Sequence, residues 1–131
     1  MKPVYLNDMD IHEFENIVHK AIKHIPEIYQ EKLKNVVFRV EDQPTPSQRK
    51  KLGLRDCDAL FGLYEGVPLT QRSGATYSVL PDVITIFYSP MATMFSDLVS
   101  LKKQVYETVW HEVAHFYGLN HSDIHKAKKS K

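Results

Sequence analysis

The chain has 131 residues and a mass of 15.2 kDa, with 43% hydrophobic and 25% charged residues, the proportions of an ordinary soluble protein with enough length for one domain and too little for two. A chain of this size buries roughly two thirds of the surface it exposes when unfolded, so its core needs no disulfide staples; the single cysteine, Cys57, lacks an intrachain partner and points to a reducing compartment. The formal net charge of +1 leaves nothing in the overall balance to attract nucleic acid or an anionic membrane.

Residues 1–8 carry no apolar run of the signal-peptide kind, so a cytoplasmic protein is expected. From Asp10 onward Ile11, Phe14, Val18, Ala21, Ile22 and Ile25 recur at helical spacing, with Asp10 and Glu13 placed to cap the first turn. Pro26 ends this amphipathic helix or opens a second short one over residues 27–33. His12, His19 and His24 lie on the segment without tight metal-ligand spacing and read as surface residues. Val36, Phe38 and Val40 alternate with Val37 and Arg39, the pattern of a half-buried strand.

Residues 41–51 are polar with two prolines and read as a loop, with one helical turn around residues 47–52. A second strand is expected over residues 59–64, closed by Glu65-Gly66-Val67-Pro68, and residues 71–74 form another loop. Two more strands follow over residues 76–80 and 83–88, separated by Pro81-Asp82. The apolar stretch over residues 77–95 is broken by Pro81, Asp82 and Pro90, which excludes a membrane span. Ser89-Pro90 signals a helix start. Beyond it Leu98, Leu101, Val105, Thr108, Glu112, His115 and Leu119 share one narrow face, so a long helix turns ionisable groups toward its buried side. Residues 1–9 and the basic tail over residues 126–131 are expected to be flexible ends.

The segment from His111 to His121 reads HExxHxxGxxH. On a helix His111 and His115 project from neighbouring turns of one side, close enough for both imidazoles to reach one zinc ion at about 2.0–2.1 Å. Gly118 stands where a left-handed residue ends a helix at least cost, so the chain can fold back and bring His121 to the same ion. Three neutral nitrogen ligands leave a fourth position for water, the arrangement of a catalytic site. Glu112 lies about 100 degrees round the helix from His111 and about 60 degrees from His115, beside the ion and not on it. From there it can act as general base on a zinc-bound water and return the proton to a departing amine, which is amide hydrolysis. An ionisable cluster on a buried face without an ion would carry a heavy desolvation cost.

The pattern matches the metzincin branch of the zincin superfamily, but metzincins place a methionine-containing turn after the third histidine and no methionine follows Met94 here. The glutamate-liganded branch is no closer, since no glutamate follows Glu112. Over residues 10–124 the chain resembles the short bacterial zincin-like metallopeptidases. The resemblance rests on Gly62-Leu63-Tyr64-Glu65-Gly66-Val67-Pro68-Leu69-Thr70 with Arg72-Ser73, on Pro81-Asp82-Val83-Ile84-Thr85-Ile86-Phe87, and on the terminal HExxH helix. That family commonly carries aspartate at the third ligand position, where this chain has His121. Three neutral histidines would leave the zinc a stronger Lewis acid than two histidines and a carboxylate. Asp123 is the alternative ligand or an acceptor for a histidine N–H, and His125 ranks below both.

The resemblance implies a single α/β (α+β) zincin-like domain over residues 1–131. It implies a small twisted mixed sheet packed against helices, the HExxH motif on the long C-terminal helix beneath an edge strand, and one Zn2+ ion as cofactor. It also implies a metallopeptidase whose partner is a peptide or protein substrate; the charge balance and the interrupted apolar stretch lead to the expectation of no nucleic acid and no membrane. Residues 59–64 with 65–69 then line the cleft, although Gly62 and Gly66 equally suit turns and close packing and Tyr64 equally suits the core. Tyr117 is either an oxyanion donor or a packing residue, with packing favoured, and Trp110 reads as core. Two other functions stand beside the peptidase. The HxxxHxxGxxH spacing is similar to that of a family of rRNA-maturation endoribonucleases, which usually has glycine where Glu112 stands; the glutamate and the net charge count against RNA. A zinc-holding interaction module with weak or no hydrolase activity is the third, because a short chain has little room for a deep specificity pocket.

Overall fold

A computed structural model of the chain describes residues 9–55, 58–71 and 81–119. Helix α1, Ile11–Lys23, begins where the extended Asp10 accepts a hydrogen bond from His12 N–H at 2.9 Å, satisfying one of the amide donors that a helix start leaves orphaned. Its apolar stripe buries Phe14, Val18 and Ala21, while His12, His19 and His24 are exposed as their spacing suggests. After Pro26 come a 3-10 turn, Glu27–Tyr29, and the one-turn helix α2, Gln30–Leu33. Gln30 Nε2 ties this corner down by donating to the carbonyls of Ile22 and Ile25 at 2.8 and 3.0 Å.

Strand β1, Val36–Glu41, follows directly. The polar segment after it holds more helix than one turn. Helix α3 runs Pro46–Leu52 because Thr45 and Gln48 close a reciprocal capping box, Oγ1 of Thr45 accepting from Gln48 N–H at 3.0 Å and Oε1 of Gln48 from Thr45 N–H at 2.9 Å. Strand β2, Gly62–Glu65, starts at Gly62 and not at Ala59. Residues 58–61 before it are not strand, and the Asp58 carboxylate accepts from Arg55 N–H at 2.8 Å while Asp58 N–H donates to the Arg55 carbonyl at 3.0 Å. A 3-10 turn, Leu69–Gln71, is the last described element before strand β3, Asp82–Phe87. Helix α4, Tyr88–Met94, and the long helix α5, Leu98–Tyr117, complete the order; Asp97 caps α5 by accepting from Ser100 N–H at 2.8 Å.

The three described strands form a mixed sheet in the order β1-β3-β2, with β1 parallel and β2 antiparallel to β3. Helices α1 and α5 pack on each other, and α5 also lies against β2 and β3, so this is the α+β arrangement expected of the sequence. The core is the space between: Phe14 and Val18 of α1, Ile84 and Ile86 of β3, and Leu101, Val105, Val109 and Val113 of α5 are buried together. Met9 already belongs to it, its carbonyl accepting from the Tyr88 hydroxyl. No described helix is long and apolar enough to cross a membrane. The strand expected over residues 76–80, Cys57, the ends at residues 1–8 and 126–131, and the loop residues 72–74 lie outside the described residues.

Phe14 is fully buried and meets the Tyr88 ring edge-on at 5.2 Å, at the junction of α1 with the rest of the core. Phe14→Ala is therefore expected to destabilise the fold by about 3–5 kcal/mol in urea unfolding, whereas a loss under about 1 kcal/mol would mean that α1 contributes little to the core.

Candidate metal centre

The last turns of α5 carry His111, Glu112 and His115, and helix geometry brings them together as their spacing requires. Their possible ligand atoms all lie within 4.8 Å of one another. The two imidazole rings stand 4.4 Å apart between centroids, and Glu112 Oε1 is 3.6 Å from His115 Nδ1. Two imidazoles and a carboxyl at this separation are a donor set that suits zinc.

Burial divides the three sharply. The Glu112 side chain is 9% exposed, that of His115 is 44% exposed, and His111 lies between buried and exposed. The expectation that both histidines and the glutamate face the core is thus met only by the glutamate. The phase of the helix supplies the reason. Thr108 and Glu112 lie beneath Gly62 of β2, and Phe116 lies against the Tyr64 ring, so the strand covers that stripe; His115, about 100 degrees round from Phe116, comes out into solvent.

The covering strand also supplies Glu112 with a hydrogen bond. Phe87 N–H donates to the Phe61 carbonyl at 2.9 Å, and the antiparallel alternation from that pair turns the backbone groups of Gly62 and Tyr64 away from β3. The Tyr64 N–H meets the Glu112 carboxylate there. Burial pushes the Glu112 carboxyl up from its ordinary 4.5 to about 7, and the Tyr64 hydrogen bond opposes that rise without cancelling it. Neither Gly62 nor the Tyr64 amide was recognisable as a partner of Glu112 from side-chain types, because one contributes empty space and the other a backbone donor.

At its end α5 closes in a Schellman motif. Gly118 is left-handed at φ 78°, its N–H donates to the His115 carbonyl at 2.9 Å, and Leu119 N–H donates to the Ala114 carbonyl at 2.9 Å. A Cβ at position 118 would lie 2.0 Å from Thr70 Oγ1, so the turn after β2 presses directly on the glycine. The left-handed helix end expected at Gly118 is present; the path beyond Leu119, with His121, Asp123 and His125, lies outside the described residues. Tyr117 turns inward, donating its hydroxyl to the Tyr29 carbonyl at 2.6 Å with its ring edge-on to Tyr29, and Trp110 is buried against the same ring. Both are packing residues.

A family model for zincin-like metallopeptidases matches residues 33–130. The chain belongs to this family. The match includes the whole described sheet and the helix whose His111, Glu112 and His115 could hold a metal ion, and the family implies a zinc ion and a hydrolase of the metallopeptidase type. The comparison with curated proteins returned no match. Among solved structures the fold is similar to that of a conserved hypothetical protein from Thermus thermophilus, at 21% identity and a TM-score of 0.56, over 81% of this chain and 92% of the other.

In the metal-free protein the raised carboxyl binds its proton more tightly folded than unfolded. Below about pH 4.5 it is protonated in both states; as pH rises toward 7 and beyond, the unfolded state is favoured, by roughly 3 kcal/mol at most. Metal-free Glu112→Gln should therefore lose less stability than the wild type between about pH 4 and pH 8, by up to that amount in urea unfolding. Equal pH dependence in the two proteins would show a carboxyl still in contact with water.

Proposed function

We propose that this protein is a zinc-dependent peptidase in which His111, His115 and His121 hold the ion and Glu112 is the general base, with a peptide or protein segment as substrate. The observation that carries the reading is the union, within little more than one helical turn, of two imidazoles with a buried carboxyl. A carboxyl beside two metal-ligand imidazoles stands where it can take up and release the proton of a water molecule on the same ion.

An ion held by the three imidazoles would supply Lewis acidity toward a water molecule and a carbonyl oxygen. The remaining chemistry belongs to the chain. Glu112, anchored by the Tyr64 N–H, takes the proton of the attacking water on its carboxylate and delivers it to the departing amine nitrogen. That tie to the strand favours a carboxylate standing beside the ion over one coordinating it. The exposure of His115 leaves the approach to the site open. Among the described residues β2 is an edge of the sheet, and an extended peptide can align with such an edge by strand addition.

The test combines metal analysis of freshly purified protein with cleavage of a broad peptide library. Glu112→Gln is expected to retain stoichiometric zinc and lose cleavage by about 100- to 10,000-fold, whereas His111→Ala and His115→Ala lose both zinc and activity. Loss of zinc in His121→Ala but not in Asp123→Ala identifies the third ligand, and the converse result assigns it to the aspartate. A zinc-loaded wild type that cleaves no peptide, or cleaves only RNA, overturns the peptidase reading.

A further inference from the structure

We infer that Gly62 is a positioning residue for Glu112: the bare backbone at this point of β2 allows α5 close enough for the carboxyl to stay on the Tyr64 amide. The inference rests on the reading of Glu112 as the general base.

Gly62 is not left-handed, unlike Gly118, so backbone freedom does not account for it. Space does. A Cβ at position 62 would lie 2.6 Å from Thr108 Cγ2, 3.2 Å from Glu112 Cγ and 3.4 Å from Ile86 Cδ1. The first distance is one that real Cβ atoms do not adopt, and the second is tight enough to require movement. Thr108 has little freedom to yield, because it is β-branched and buried on a helix and its hydroxyl accepts from Gln104 Nε2 at 3.0 Å. A methyl group at position 62 would therefore push strand and helix apart or turn the Glu112 side chain. Tyr64, two residues along the same strand and on the same face, holds its N–H in register only while β2 keeps its pairing with β3 at Gly62↔Ile86 and Tyr64↔Ile84. Because β3 fixes the strand, the displacement falls on Glu112 and separates its carboxyl from the amide.

Three variants separate this role from ordinary packing. Gly62→Ala should lower the melting temperature and reduce kcat by roughly 10- to 100-fold, with KM and zinc content unchanged, as expected of a displaced catalytic group. Thr108→Ser keeps the hydroxyl, removes Cγ2 and should behave as the wild type. In Gly62→Ala/Thr108→Ser the worst contact is gone, so the melting temperature should recover while kcat stays low, because the new methyl still stands against Glu112 Cγ. Recovery of kcat together with the melting temperature would reduce Gly62 to a packing residue.

Amide hydrogen exchange of the metal-free proteins, followed by NMR, provides a reading independent of activity. The Tyr64 amide should lose protection selectively in both Gly62→Ala proteins, while the neighbouring Leu63 amide, directed toward β3, keeps it. Glu112→Ala in the wild-type background should give the same selective loss. Unchanged Tyr64 protection, or uniform loss along β2, overturns the inference. If the wild type cleaves no peptide, the peptidase reading fails and the exchange data still decide whether Gly62 positions Glu112. If Gly62→Ala alone fails to fold, the double variant carries both measurements.

Discussion

The burial of one carboxyl beneath a strand edge is the constraint on which the chemistry of this protein depends. A glutamate on the face of an isolated helix would be ionised and hydrated at neutral pH. Here β2 lies over α5 at Gly62, water is removed from the Glu112 side chain, and among the described residues a backbone donor from Tyr64 replaces it. One hydrogen bond does not restore what full hydration supplies, so the carboxyl holds its proton into the neutral range. The domain sustains this because its stabilising contacts lie elsewhere, between α1, β3 and the earlier turns of α5.

The two elements that build the site contribute different things. The helix sets distances: three residues within one turn and a half cannot be far apart, whatever surrounds them. The strand sets environment, and its reach extends to both ends of the motif. Gly62 and Tyr64 cover Glu112 and Phe116, and the turn that follows β2 brings Thr70 against Gly118 where the helix ends. A shift of β2 along the helix would disturb the base and the helix terminus together. Both glycines answer a demand for space, while Gly118 also answers one for left-handed backbone.

Much of this was legible in the amino-acid pattern, and the reasons for the rest are physical. Periodicity placed α1 and α5, alternation placed β1, the run after Pro81-Asp82 placed β3, and the helix end at Gly118 followed from the conformations that glycine tolerates. These are local properties. The capping box at Thr45 and Gln48 is equally local, and its signature was present in a segment whose prolines and polarity suggested a loop. What a single sequence could not convey is which element covers which face. His111, Glu112 and His115 all fall on one side of a helical wheel, yet their burial differs because β2 crosses one stripe of the helix and not its neighbour. Gly62 admitted two readings, turn or close packing, and only the position of Thr108 across the interface decides between them.

The unequal burial bears directly on how such a site can be tuned. Desolvation raises the pKa of an acid and lowers that of an imidazole, so enclosing the whole cluster would alter the glutamate and both histidines at once. Here the dry side of the helix holds the carboxyl and the wetter side holds His115. The environment can thus raise the proton affinity of Glu112 while at least one imidazole remains within reach of solvent. A short chain has little interior in which to enclose a whole site. Covering one residue with one strand achieves the separation with very little protein.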